Sequence, residues 1–170
     1  TCNAGFLDLE DDPLTLQGYW MKNGIEAQTG QPRIIWNNSY TPRAGGDAHI
    51  TVDLDDNIIV ATGLNETGHD FTQWDIFIYK ITPNGTMLWN STYPGNSSDL
   101  QYGISVDSDN NIYVSGTTNS SGVEDWDAFV IRLDENGTMI WNATYGADQA
   151  DGGYETTIAN NTLYLIGYTY

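Results

Sequence analysis

The chain has 170 residues, enough for one domain with a buried core, and its 6 Trp, 11 Tyr and 4 Phe argue against disorder. Five Lys and Arg stand against 23 Asp and Glu, a formal net charge of −18. Such a chain repels phosphate backbones and anionic lipid surfaces, which argues against nucleic acid and membrane anchoring, whereas its acidity suits hard cations such as Ca²⁺.

Residues 1–19 hold Cys2, the single cysteine, so an internal disulfide, a cysteine zinc cluster and a c-type haem are excluded. A free thiol and a disulfide between chains both stay open. The first residue is Thr1, which fits a removed signal peptide or a trimmed chain. LDLEDDP reads as a charged turn, and 1–19 as an N-terminal extension, either a donor strand or a tether. No run of 18 apolar residues follows anywhere, so no transmembrane helix is encoded.

From Trp20 onward the chain repeats itself. WDIFIYKITPNGTMLWNSTY (74–93) and WDAFVIRLDENGTMIWNATY (126–145) are identical at 11 of 20 positions. VDLDDNIIVATG (52–63) matches VDSDNNIYVSG (106–116) with one residue deleted. Trp36, Trp89 and Trp141 begin successive units, giving blades at 36–88 and 89–140 and the first half of a blade at 141–170. Residues 20–35 read as the second half of a blade: Trp20 matches Trp74 and Trp126, and Ile25 matches Ile131. The Gln28–Gln31 turn replaces ENGT, with one residue inserted before Trp36.

Each unit is β throughout. ISVD, NIYVSG and DAFVIRL alternate apolar and polar residues and are rich in β-branched and aromatic types. D-x-D-x-N and E-N-G-T supply turns, Asn-Gly being the strongest short hairpin signal. The predicted fold class is all-β, with four-stranded antiparallel propeller-type blades: two full blades plus two terminal half-blades. The order W-N-x-[ST]-Y, G-I-x-V-D-x-x-x-N-I-Y-V-x-G, W-D-A-F-V-x-[KR]-L-x-x-x-G resembles the β-propeller repeat of bacterial and archaeal surface proteins, the seven-bladed propeller repeat. The resemblance covers about 36–170. It implies blades and an extracellular setting, and it carries over no catalytic residues.

Nine N-x-[ST] triplets start at Asn37, Asn65, Asn84, Asn90, Asn96, Asn119, Asn136, Asn142 and Asn160. Composition alone gives about three. Turn preference explains part of the excess, and N-glycosylation the recurrence of Ser or Thr at the third place, which sets the chain outside the cell. Asp53, Asp55 and Asn57, and likewise Asp107, Asp109 and Asn111, alternate oxygen ligands as Ca²⁺ sites do, but they lack the sixth-place Gly and twelfth-place Glu of an EF-hand. The same residues are ordinary turn formers. His49 and His69 read as surface or strand-end residues, and no catalytic motif appears. Trp36, Trp89 and Trp141 read as packing residues between blades. Trp74 and Trp126 are open to a second reading, a carbohydrate platform.

Joined within one chain, the two halves make three blades, fewer than the four to eight of propellers. Joining between chains gives a head-to-tail polymer, or a ring where the rotation closes. The sequence thus predicts a non-enzymatic structural subunit of an extracellular, glycosylated surface assembly, archaeal rather than bacterial, with itself as partner. The alternatives are a glycan-binding or adhesion ring and a fragment of a longer propeller.

Overall fold

The computed structural model describes residues 44–65, 74–93, 95–120, 125–146 and 149–169. The expectations placed on residues 1–43, on Asn37 and on His69 lie outside them. Ten strands form, with no helix among the described residues. β1 (Ala44–Val52), β2 (Ile58–Leu64), β3 (Asp75–Ile81) and β4 (Met87–Tyr93) make one antiparallel sheet in sequence order. β5 (Asp99–Val106), β6 (Ile112–Thr118), β7 (Asp127–Leu133) and β8 (Met139–Tyr145) make a second sheet of the same form. β9 (Asp151–Ala159) pairs with β10 (Thr162–Thr169) in a two-stranded third sheet.

These sheets correct the unit boundaries drawn at Trp89 and Trp141. Lys80 pairs with Trp89, and Arg132 with Trp141, so each Trp strand is the fourth of its own sheet rather than the first of the next. The sheets break after Tyr93 and Tyr145.

Four hairpins share one turn. Asp53, Thr82, Asp107 and Asp134 each donate their N–H to the carbonyl four residues on and accept the N–H three residues on. The residue before the closing one is left-handed: Asp56, Gly85, Asn110 and Gly137 have φ of 63, 84, 62 and 82°. This is the type I turn plus left-handed residue of longer hairpin loops, so Asn-Gly supplies its last two positions rather than a two-residue turn. The third sheet differs. Asn160 and Asn161 both have positive φ, 50 and 59°, the form of a two-residue type I′ turn. That geometry explains why this hairpin carries no Asp.

The core lies between sheets. Ile59, Ala61, Ile76 and Ile78 of the first sheet pack on Ile104, Ile112, Val114, Phe129, Ile131 and Leu133 of the second, joined by Trp89 and Tyr93. β2, β3, β6 and β7 are buried almost throughout, as middle strands of stacked sheets must be. The opposite face of the first sheet buries Ile58, Val60, Leu64, Phe77, Tyr79 and Ile81.

Candidate functional site

The structure concentrates its polar chemistry at the seams between sheets. Asp99 N–H donates to the Trp74 carbonyl at 2.7 Å, and Asp151 N–H donates to the Trp126 carbonyl at 2.6 Å, the same bond one blade later. Trp74 and Trp126 are half-buried, and their carbonyls serve the seam. Gln101 Nε2 reaches the Asp47 carbonyl at 2.6 Å. Asn110 spans two turns, accepting Leu54 N–H at 3.0 Å and donating to Asp55 Oδ2 at 3.3 Å.

At the outer side, three side chains of the first sheet hold the β7–β8 turn of the second. Lys80 Nζ (3.3 Å) and Trp89 Nε1 (3.0 Å) both donate to the Glu135 carbonyl, and the Tyr93 hydroxyl donates to the Gly137 carbonyl. A Cβ on Gly137 would sit 2.8 Å from the Trp89 ring, so glycine is needed for the indole to lie on the turn. Burial raises the Tyr93 hydroxyl above its ordinary value. Sequence reasoning marked Trp89 as packing and missed Lys80 and Tyr93. The repeat alignment held the signal, since Arg132 and Tyr145 stand at the same places in the second unit.

The Asp turns receive a job other than the metal reading. Asp53 Oδ1 accepts the N–H groups of Asp55 (2.9 Å) and Asn57 (2.8 Å), and its Oδ2 accepts Asn57 Nδ2 (3.1 Å) and binds Lys80 Nζ at 2.7 Å. Asp107 repeats this with Asp109, Asn111, the Tyr113 hydroxyl and a longer 3.9 Å pair with Arg132. Asp55 instead faces Asn110 of the next sheet. No group of three His, Cys, Asp or Glu side chains that could hold a metal ion occurs among the described residues. Burial raises the Asp53 carboxyl, but Lys80 and Asn57 outweigh it and leave it below its ordinary value. Asp107 is lowered likewise, burial being outweighed by Asn111, Asp109 and Tyr113.

Asp99 has the opposite sign. Burial, and then the nearby Asp75 charge, raise its carboxyl against the bonds from Thr118 and Ser120. Below pH 3.8, Asp99 is protonated folded or unfolded and costs nothing. As pH rises through the raised folded value, the unfolded chain ionises more readily and stability is lost. Asp99→Asn therefore melts higher than the parent at pH 7, and the gain vanishes below about pH 3.8. A melting-temperature difference that does not depend on pH would contradict this.

Among the sequons, Asn84, Asn90, Asn96, Asn136, Asn142 and Asn160 are exposed and Asn119 is half-buried. Asn65 is buried, at 6% exposure, so a glycan there would have to displace packed neighbours. Asn84 Oδ1 accepts the hydroxyl of Thr86, the third residue of its own triplet, and that of Thr82 just before it. His49 lies half-buried on β1, its Nε2 enclosed.

A groove of about 420 Å³ runs along the first seam, walled by Ile76, Tyr93, Asp99 and Thr118 and roofed by Phe129, Ile131, Met139, Asn142, Ala143 and Thr144. A groove of about 430 Å³ follows at the second seam, walled by Ala128, Tyr145, Asp151 and Thr169.

Stacked four-stranded antiparallel sheets of this kind are propeller-type blades. A family model described as the beta-propeller repeat matches residues 91–122, across the break between the first two sheets. The chain resembles that repeat family, as its internal repeat implies. A search of the curated proteins finds no match.

Proposed function

We propose that this chain is a structural subunit of a secreted, N-glycosylated extracellular assembly of archaeal surface type, polymerising by completion of split blades between subunits. The observation that carries this reading is the third sheet. β9 and β10 repeat the first two strands of the preceding blades, and β10 has β9 as its one strand neighbour among the described residues. One of its faces is apolar and open: Tyr164 is 54% and Ile166 65% exposed. An apolar strand with an open edge is a template for another strand. Residues 20–36, which repeat the second half of a blade, have the matching pattern. The contact is heterologous, so copies add head to tail, as a filament or tube rather than a ring. Exposed sequons on each sheet then dress the polymer with sugars at the blade period.

Negative-stain microscopy and light scattering of native 1–170 chain should show filaments whose mass grows with concentration. A stable, fully folded monomer at all concentrations would sink the reading. The second reading, a glycan-binding or adhesion ring, draws on the Tyr102–Tyr154–Tyr168 cluster, with ring centroids 5.8 and 5.5 Å apart and Tyr154 49% exposed. Such rings suit stacking on sugars, and a closed oligomer of fixed mass with saturable glycan binding would favour it.

A further inference from the structure

We propose that Arg132, Trp141 and Tyr145, together with the second-seam groove, form a seat for the Gln28–Gln31 turn of a second copy of this chain. The proposal rests on the blade-sharing reading and specifies the contact that selects the donor. The three residues stand 52 positions after Lys80, Trp89 and Tyr93 and occupy the same places on their sheet. Trp141 pairs with Arg132, as Trp89 does with Lys80. Tyr145 pairs with Ala128, as Tyr93 does with Ile76. Tyr145 lines the second-seam groove together with residues of β9 and β10.

In the first sheet this trio is occupied, holding two backbone carbonyls of the next blade's β7–β8 turn. In the second sheet it is open. The Arg132 side chain is 31% exposed against 7% for Lys80, and its carboxylate partner is 3.9 Å away against 2.7 Å. Arg132 Nε is enclosed with no hydrogen-bond partner, and Tyr145 is 56% exposed. The grooves tell the same story. The first has strands β7 and β8 of the next blade as its roof, whereas the second is walled by the second sheet, β9 and β10 without an equivalent roof among the described residues.

A third sheet built like the first two would add to β9 and β10 two strands joined by a turn with glycine in its third place. Residues 20–36 carry this pattern with a one-residue shift: Trp20 and Ile25 match Trp126 and Ile131, and Gly30 takes the third place of QTGQ as Gly137 does of ENGT, five residues after Ile25 against six after Ile131. The indole of Trp141 would lie on Gly30 as Trp89 lies on Gly137. Arg132 and Trp141 would donate to the carbonyls of that turn. Because the contacts reach backbone oxygens, the change from ENGT to QTGQ costs no hydrogen bond.

The test uses the full chain and three variants, read by sedimentation and by thermal melting. Trp141→Ala should raise the concentration needed for assembly by about tenfold or more while the subunit's melting temperature holds. Gly30→Val, which alters the donor and leaves the seat intact, should give the same loss. Ile35→Pro, which blocks strand donation itself, should abolish assembly. If Ile35→Pro abolishes assembly but Trp141→Ala and Gly30→Val assemble as the parent does, blade sharing stands and the seat is overturned. If none of the three changes assembly, both fall. If Trp141→Ala and Gly30→Val lower the melting temperature of a monomer without altering its mass, the chain fills its own seat and the second-copy assignment is overturned.

Discussion

Asp53→Ala should cost about 3–5 kcal/mol of unfolding free energy, read by denaturant titration at pH 7. Two losses combine. Lys80, 6% exposed, loses the carboxylate 2.7 Å away, and breaking one side of a buried ion pair is expensive. The N–H groups of Asp55 and Asn57 lose their acceptor, and the β1–β2 turn loses its closure. Asp53→Asn keeps an acceptor for the turn and should cost less. The double variant Asp53→Ala with Lys80→Met should recover much of the loss, because removing both charges leaves neither stranded. A cost below about 1 kcal/mol for Asp53→Ala would mean that the pair is solvated and marginal. The sign in acid follows from the lowered folded value of Asp53. Its stabilisation is whole above its ordinary 3.8 and is lost as pH falls through the folded value.

Gly137→Val should cost about 2–4 kcal/mol, with the loss felt at the seam rather than within the hairpin alone. A φ of +82° places an L side chain in the left-handed region, worth about 1–2 kcal/mol. The new Cβ would then meet Trp89 ring atoms at 2.8–2.9 Å, so the indole must move and release the Glu135 carbonyl. That bond is worth about 0.5–1.5 kcal/mol. Introducing Trp89→Ala first should remove the steric part, and the cycle should show coupling of at least about 0.5 kcal/mol. Strict additivity would place the whole cost in the backbone.

Period and composition carry much of this structure openly. Strands such as DAFVIRL and NIYVSG are β-branched, aromatic and alternating, and the structure forms them where those runs lie. The phase of the blade was not legible. A repeat fixes a length of 52–53 residues but not the point at which one sheet hands over to the next. Asn-Gly marks a hairpin equally well inside a sheet or between sheets. The break instead follows Tyr93 and Tyr145, where Pro94 and Gly95 or Gly146 stand. The acidic turns were ambiguous for a different reason. D-x-D-x-N fits both a cation and a turn, and the deciding partner of Asp53 is Lys80, on a strand two away in the sheet. The trio Lys80, Trp89 and Tyr93 acts together only because β3 and β4 pair in this register, which no local window reveals.

The first trio grips main-chain oxygens, and it asks of its neighbour only a glycine at one corner. A coupling of that kind is blind to most of the side chains it joins, so one blade is interchangeable with another. Gene duplication or loss of a whole 52-residue unit would leave every joint with a valid partner. The length of such a protein is therefore free to drift by blades, while a change of a few residues within one is not.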